Sequence, residues 1–485
     1  MKIVKSSLIA MLAVSTLFAG ADATEKTQEV KSNVELQKEL QDLKKKYEGL
    51  QEQLDTVQQH DAKDNIKFTV DFRNDYNYIK YEYNDYKFSL KGKQQDWSGT
   101  EATNNGLYTS RIYLNMKSSP VKKLTFTGQL AAYAIWGSHL FANEDPALKS
   151  WSASSKPGDT LFRIRQAYFV YSDKFSNGLP YAFSVGRRQS TDGFLANYRE
   201  GNEEPGSPLA HITNMEVDGA MFKLDIGKYT LPGAFVKFVY GRAHSGGMET
   251  LYDSAGYKPY AQEDGDINEN VDFFVLLGNI YDNGQYKLMF EHATIFDTKG
   301  ARTGYPIGAA LPDGGKNKSL DAGTAYLDAL SFQVVGIGDM INDFLDSTTL
   351  FLSLARTQYS PNDGHELLGS TDDEDGYSVW TGFSIPDMIT ERGKIGFEYN
   401  HGSQYWTPMT WAEDSVLGSK LAVRGDAYEA YWNFHVLGLK NLTGQVRYTY
   451  EQHDYTPNIR CSGWVAPKPV DITAQNLRAF VRYQY

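Results

Sequence analysis

The residues in this chain best able to do chemistry are cations set at strand spacing. Arg73, Arg111, Arg163, Arg165, Arg188, Lys223, Lys237, Lys287, Lys394, Arg447, Arg478 and Arg482 all fall on the polar side of segments that alternate apolar and polar residues. In a strand, successive side chains leave on opposite faces, so these cations share one wall. Fewer acids join them: Asp71, Asp225, Glu291, Glu398 and Glu429. Such a wall breaks no bonds. It selects ions and charged solutes by its fixed field, which is focused where water is confined between low-dielectric surfaces. A modest preference for anions is expected, with Arg447, Arg478 and Arg482 lining the passage. The same cations could instead pair with acids on neighbouring strands. The remaining acids lie in long connections. Asp363, Glu366, Asp372, Asp373, Glu374 and Asp375 crowd 358–376, and Glu200, Glu203 and Glu204 stand beside Pro205, Gly206 and Pro208 in 189–216.

Catalytic and metal signatures are lacking. The nine histidines are scattered without HExxH spacing, no GxSxG elbow occurs, and His435 and Glu429 stand too far apart along a strand to pair. Asp264, Asp266, Asn268, Asn270 and Asp272 alternate oxygens loosely as a calcium loop does. Glu269 occupies the position that needs glycine, so a solvated acidic loop is expected and no metal. Cys461 is the single cysteine, which leaves neither an internal disulfide nor a cysteine metal site. A net charge of −12 argues against general nucleic-acid binding. No cofactor and no enzyme activity are expected.

The elements that must hold these cations are short two-faced strands. After a first one beginning near Ile66, alternation marks Tyr108–Met116, Leu124–Ala134, Phe162–Tyr171, Tyr181–Arg188, Val217–Gly227, Ala234–Arg242, Asp272–Tyr281 and Tyr286–Phe296. It continues through Leu327–Val335, Leu350–Thr357, Tyr377–Ile385, Lys394–His401, Tyr428–Val436, Leu442–Glu451 and Thr473–Tyr485. That is about sixteen strands, with 14–18 open, each long enough to cross a bilayer at a tilt. Connections alternate between short and long, as expected when the two rims of a barrel face different compartments. Asn283-Gly284 has the composition of a two-residue hairpin turn, and Met340 to Leu345 suggests one helical turn. Aromatic residues make up 14% of the chain, mean hydropathy is −0.48, and no apolar run is long enough for a helical span. The expected fold is an all-β, transmembrane antiparallel barrel over 66–485.

Two further segments precede it. Lys2 and Lys5 lead an apolar run from Leu8 to Phe18 followed by small residues, which reads as a secretory signal peptide over 1–23. Within 30–60, Leu36, Leu40, Leu43, Tyr47, Leu50, Leu54 and Val57 repeat at alternating steps of four and three. This heptad seam is too narrow to hold a lone helix, so a short periplasmic coiled coil is expected, as a homotrimer. A single helix lying against the barrel or the cell wall is the alternative.

The last segment, TAQNLRAFVRYQY, puts Leu477, Ala479, Val481, Tyr483 and Tyr485 on one face and Arg478, Phe480, Arg482 and Gln484 on the other. It resembles the assembly signal of bacterial outer-membrane barrels, and from Ile66 to Tyr485 the chain resembles porins in architecture. It is also similar to a porin family that joins an N-terminal coiled coil to a C-terminal β-barrel. In sixteen-strand porins the third long loop folds inward and sets its acids opposite wall arginines. The resemblance therefore implies a constriction of Arg111, Arg163, Arg165 and Arg188 facing Glu200, Glu203 and Glu204. It implies a barrel in outer-membrane lipid that passes small hydrophilic solutes or ions by diffusion. A structural or adhesive protein linking cell wall and surface partners is the other expectation.

Overall fold

Along Thr349–Pro361 the two-residue period is plain in the packing. Leu350, Leu352 and Leu354 are exposed, whereas Thr349, Phe351, Ser353 and Ala355 are buried. The most apolar face points outward, the reverse of a soluble sheet and what immersion in hydrocarbon requires. The computed structural model describes residues 66–136, 162–244, 270–457 and 466–485, apart from 91–92, 191, 203, 313–316, 318–319, 339–340 and 391. The expected leader (1–23) and heptad seam (30–60), with Leu36, Leu40, Leu43, Tyr47, Leu50, Leu54 and Val57, lie outside the described residues.

Among the described residues sixteen strands form one antiparallel sheet closed on itself, onto which the two-residue segment His365–Glu366 pairs as well. They are β1 (Lys67–Asp85), β2 (Thr100–Val121), β3 (Leu124–Ile135), β4 (Arg163–Lys174), β5 (Pro180–Ser190), β6 (Met215–Asp225), β7 (Phe235–His244) and β8 (Val271–Asp282). The others are β9 (Tyr286–Arg302), β10 (Leu320–Val335), β11 (Thr349–Pro361), β12 (Glu374–Pro386), β13 (Lys394–Gly402), β14 (Gly425–His435), β15 (Leu442–Tyr455) and β16 (Pro469–Gln484). Closure comes from β1, which pairs with β2 on one side and with β16 on the other. The Val70 and Tyr485 amides each donate to the other's carbonyl, at 2.8 and 2.9 Å, so the terminal aromatic residue belongs to the ladder. Among the described residues no barrel edge is left unpaired, the condition for a sheet in lipid.

Every expected strand is present, but several run further on the long-loop side. Tyr108–Met116 is the middle of β2, a 22-residue strand, and Leu327–Val335 is the later part of β10. A tilted crossing needs only about 9–11 residues. Beyond the lipid both faces meet water, so alternation of hydropathy fades while backbone pairing continues. The first long connection holds a small hairpin of Lys87–Leu90 with Lys93–Asp96. At the short-loop end, Gly284 takes a φ of 94°, and the Asn283 side chain accepts from the Gln285 and Tyr286 amides. The hairpin thus needs positive φ at Gly284 and not at Asn283. The expected helical turn is Asp343–Asp346, capped by the Asn342 side chain, which accepts from the Leu345 amide at 2.9 Å.

The largest apolar cluster sits inside the cylinder. Two long connections, 191–214 and 403–424, bring Phe194, Leu195, Leu209, Ile212, Trp406 and Leu421 against wall residues such as Phe273, Leu277, Phe351 and Trp380.

Candidate functional site

The two inward loops are joined to each other and to the wall. The Met409 amide donates to the Ile212 carbonyl at 2.9 Å, the Asn214 amide to the Met409 carbonyl at 2.7 Å, and the Ala412 amide to the Asn214 carbonyl at 2.8 Å. Together they make a crossbar within the lumen. Glu291 on β9 fastens the first loop, accepting from the Leu209 amide at 2.6 Å and the Thr213 hydroxyl at 2.8 Å. Arg199 of that loop reaches Glu413 of the second at 2.6 Å. Lys420 of the second loop is buried between Glu398 on β13, at 2.6 Å, and Glu429 on β14. Trp406 donates its indole N–H to the Leu421 carbonyl at 2.6 Å, which ties the start of this loop to its end. His211, wholly buried, bridges Ser353 and Ser378 at 2.8 and 2.9 Å.

Close approach of the second loop depends on Gly376. A Cβ at this position would lie 2.5 Å from the Trp406 backbone nitrogen and Cα, and backbone cannot swing aside as a side chain can. Gly376→Ala should push the loop off the wall and open Lys420 and Arg424, 2% and 1% exposed, to trypsin. Cleavage after these residues, read by mass spectrometry of the folded barrel, should be fast in the variant and slow in the parent. Equal rates would mean the loop tolerates the added methyl.

The strongest charge cluster forms where β15, β16, β1 and β2 adjoin. Arg73 lies opposite Arg111 on one side and Arg482 on the other, and Arg447 lies opposite Arg478. Like charges directly across a ladder repel. Asp414 of the second loop answers them. It accepts from Arg73 at 2.6 and 3.2 Å, from Arg111 at 2.7 Å, and more weakly from Arg478 at 3.4 Å. Its backbone carbonyl accepts from Arg478 at 2.8 Å and Arg447 at 3.0 Å. Asp75 binds Arg73 and Arg478, and Asp71 binds Arg482 and Arg111. Glu200, on the first loop, reaches Arg447 at 3.2 Å. Burial works to raise the Glu200 carboxyl, but the Arg447 and Arg199 guanidiniums outweigh it and hold it well below the usual carboxylate range.

Two cavities flank the crossbar. One, of about 500 Å³, has a polar lining that includes Asp71, Arg111, Tyr113, Arg165, Asp192, Glu200 and Arg482, and reaches the short-loop end at Asn441 and Tyr485. The other, of about 240 Å³, lies between the first loop and β4–β10.

Of the residues singled out from sequence, Arg111, Arg165, Glu200 and Arg482 line the first cavity, and Arg447 and Arg478 are buried against Asp414. Arg165 pairs with Glu216 at 2.8 Å. Arg188 lines the second cavity, with its guanidinium 4.8 Å from the centre of the Tyr168 ring. Arg163 is exposed at the start of β4, and Glu204 is exposed and borders neither cavity. Glu203 lies outside the described residues. The structure therefore sets Glu200 of the expected acids against an arginine, and brings in Asp414, Glu413 and Arg199, which sequence reasoning passed over. A signal was present: 403–424 carries Trp406, Met409, Trp411, Val416, Leu417 and Leu421, an apolar load unsuited to a solvated loop. Asp75 was missed because β1 continues to Asp85, past the Phe68–Arg73 alternation that marks its start in the sequence.

Among solved structures, OprB of Pseudomonas putida is 14% identical with a TM-score of 0.46, covering 87% of this chain and 94% of that one. An anion-selective porin from Comamonas acidovorans is 12% identical at a TM-score of 0.45, covering 87% and 99%. OmpT of Vibrio cholerae, in its trimer form, is 13% identical at 0.43, covering 87% and 99%. At these scores the likenesses decide nothing about this chain. No curated protein matches it in sequence. A family model does, over residues 101–482, and the chain accordingly belongs to the family described as "Protein of unknown function (DUF3373)".

Proposed function

We propose that the protein is an outer-membrane channel through which small hydrophilic solutes or ions diffuse passively, past a lumen narrowed by the crossbar. One observation carries the reading: a closed barrel, apolar outside, encloses a polar cavity lined by arginines and acids. A charged lining keeps water and small ions in the lumen at little cost, and wall charges act on them at close range. The channel performs no catalysis.

A modest anion preference belongs to the same proposal, but its source moves. Arg73, Arg111, Arg165, Arg447, Arg478 and Arg482 are matched by acids of the wall and loops, so their net field is small. Arg188, Lys223 and Lys237 form no ion pair among the described residues and supply the positive excess. Reversal potentials in a KCl gradient across planar bilayers should show weak chloride preference. Lys223→Gln combined with Lys237→Gln should bring the potential toward zero. Clear potassium selectivity in the parent would end the anion reading.

A second reading is favoured by the packing of the crossbar itself. Apolar residues of both loops are buried in the lumen, as suits a barrel used for structure or adhesion rather than flow. Liposome swelling separates the two, since a plugged barrel passes neither sugars nor ions. The expected trimer is part of the proposal as well. Removing residues 30–60 should reduce the mass of the detergent-solubilised particle to that of one chain, and an unchanged mass would leave assembly to the barrel.

A further inference from the structure

The second cavity differs in kind from the first. Phe273, Val275, Leu277 and Ile295 give it an apolar wall, and no aspartate or glutamate is among its described lining residues. Two cations nevertheless reach into it. Lys237 on β7 donates to the Ser207 hydroxyl of the first loop at 2.8 Å and pairs with no described acid. Arg188 on β5 donates to Ser184 and lies over Tyr168, and its buried Nε–H has no hydrogen-bond partner among the described residues. Glu291, on the neighbouring wall, spends its oxygens on the Leu209 amide and the Thr213 hydroxyl. Elsewhere in this lumen each arginine of the Asp414 cluster meets a carboxylate. Here the carboxylate is missing, and a half-buried cation that faces no acid gains most when an anion arrives.

We propose that this cavity is a binding site for a small carboxylate bearing an apolar tail, such as a short aliphatic or aromatic acid. The carboxylate would take charge-assisted hydrogen bonds from Lys237 and Arg188, which are stronger than neutral ones. The tail would cover the apolar wall, leaving water at the polar rim. A volume of about 240 Å³ is below the roughly 300–1,000 Å³ typical of drug-sized ligands, so the ligand is small. The site rests on the channel reading, because it lies beside the crossbar that any diffusing solute passes. A wall that holds such acids briefly would favour them over sugars of equal size.

The test uses the full chain in detergent, with hexanoate as probe and calorimetry or ligand-observed NMR as readout. Hexanoate should bind saturably, whereas hexanol and hexylammonium should bind at least about tenfold more weakly, the loss expected for one charged hydrogen bond. Lys237→Met should cause a loss of similar size and Lys237→Arg should restore binding. Removal of an unpaired cation should leave folding intact, checked by the heat-dependent mobility of the barrel on a gel. Ile295→Phe, which fills the cavity and keeps both charges, should also abolish binding. Equal affinity for hexanol or hexylammonium, or indifference to both substitutions, would overturn the site. Conductance measured on the same preparation separates this from the channel reading. Current without hexanoate binding removes the site alone, and hexanoate binding without current removes the channel and keeps the site.

Discussion

Asp414→Ala is expected to lower barrel stability by about 3–5 kcal/mol, the cost of breaking a buried ion pair from one side. The size follows from what the carboxylate leaves behind. Arg73, Arg111 and Arg478 are 1%, 6% and 4% exposed, and all three give hydrogen bonds to its oxygens. Without it, Asp71 and Asp75 remain as partners for cations that lie beside one another on adjacent strands. Water entering the lumen would solvate the freed guanidiniums, at the expense of the second loop's position. The variant should therefore show two effects together: a lower urea midpoint, read by the mobility of the folded band, and a higher single-channel conductance. Asp414→Asn keeps the shape and removes the charge, so it should reproduce most of the loss. A variant as stable as its parent would mean the loop is held by its apolar residues alone.

Trp406→Ala tests that other contribution. Trp406 is wholly buried, packs 5.5 Å from His211 between ring centres, and donates to the Leu421 carbonyl. Truncation of a buried tryptophan costs about 3–5 kcal/mol, from lost burial and from the cavity left behind. The Leu421 carbonyl also loses its donor, which adds desolvation cost. Arg424, which donates to the Trp406 carbonyl at 2.9 Å and to Thr407 at 2.7 Å, would hold the backbone near its place. The loop should then loosen at its centre rather than leave, so trypsin should find Lys420 before Arg424. Trp406→Phe keeps most of the apolar contact and should lose less than half as much. A Trp406→Ala barrel with parental stability and unchanged cleavage would show the apolar half of the crossbar to be dispensable. The two substitutions act through different atoms of one loop, so their effects should be less than additive.

The cylinder was legible in the order of residues along the chain. Alternation at a period of two is a property of neighbours along the chain, and the choice of inward and outward faces follows once hydrocarbon lies on one side. Leu477 and Val481 outward with Arg478 and Phe480 inward could be read directly, as could the pairing of a final strand with the first. The course of the loops was decided by tertiary structure. Arg73 and Asp414 stand 341 residues apart, and nothing near either one signals the other. The loop acids Asp414 and Glu200 could have faced solvent, as Glu204 does. They turn inward because buried arginines on adjoining strands repel one another until a carboxylate comes between them. Trp406, Met409 and Ile212 then fill the space that this leaves. That balance depends on distances across the lumen, which exist only after the barrel has closed.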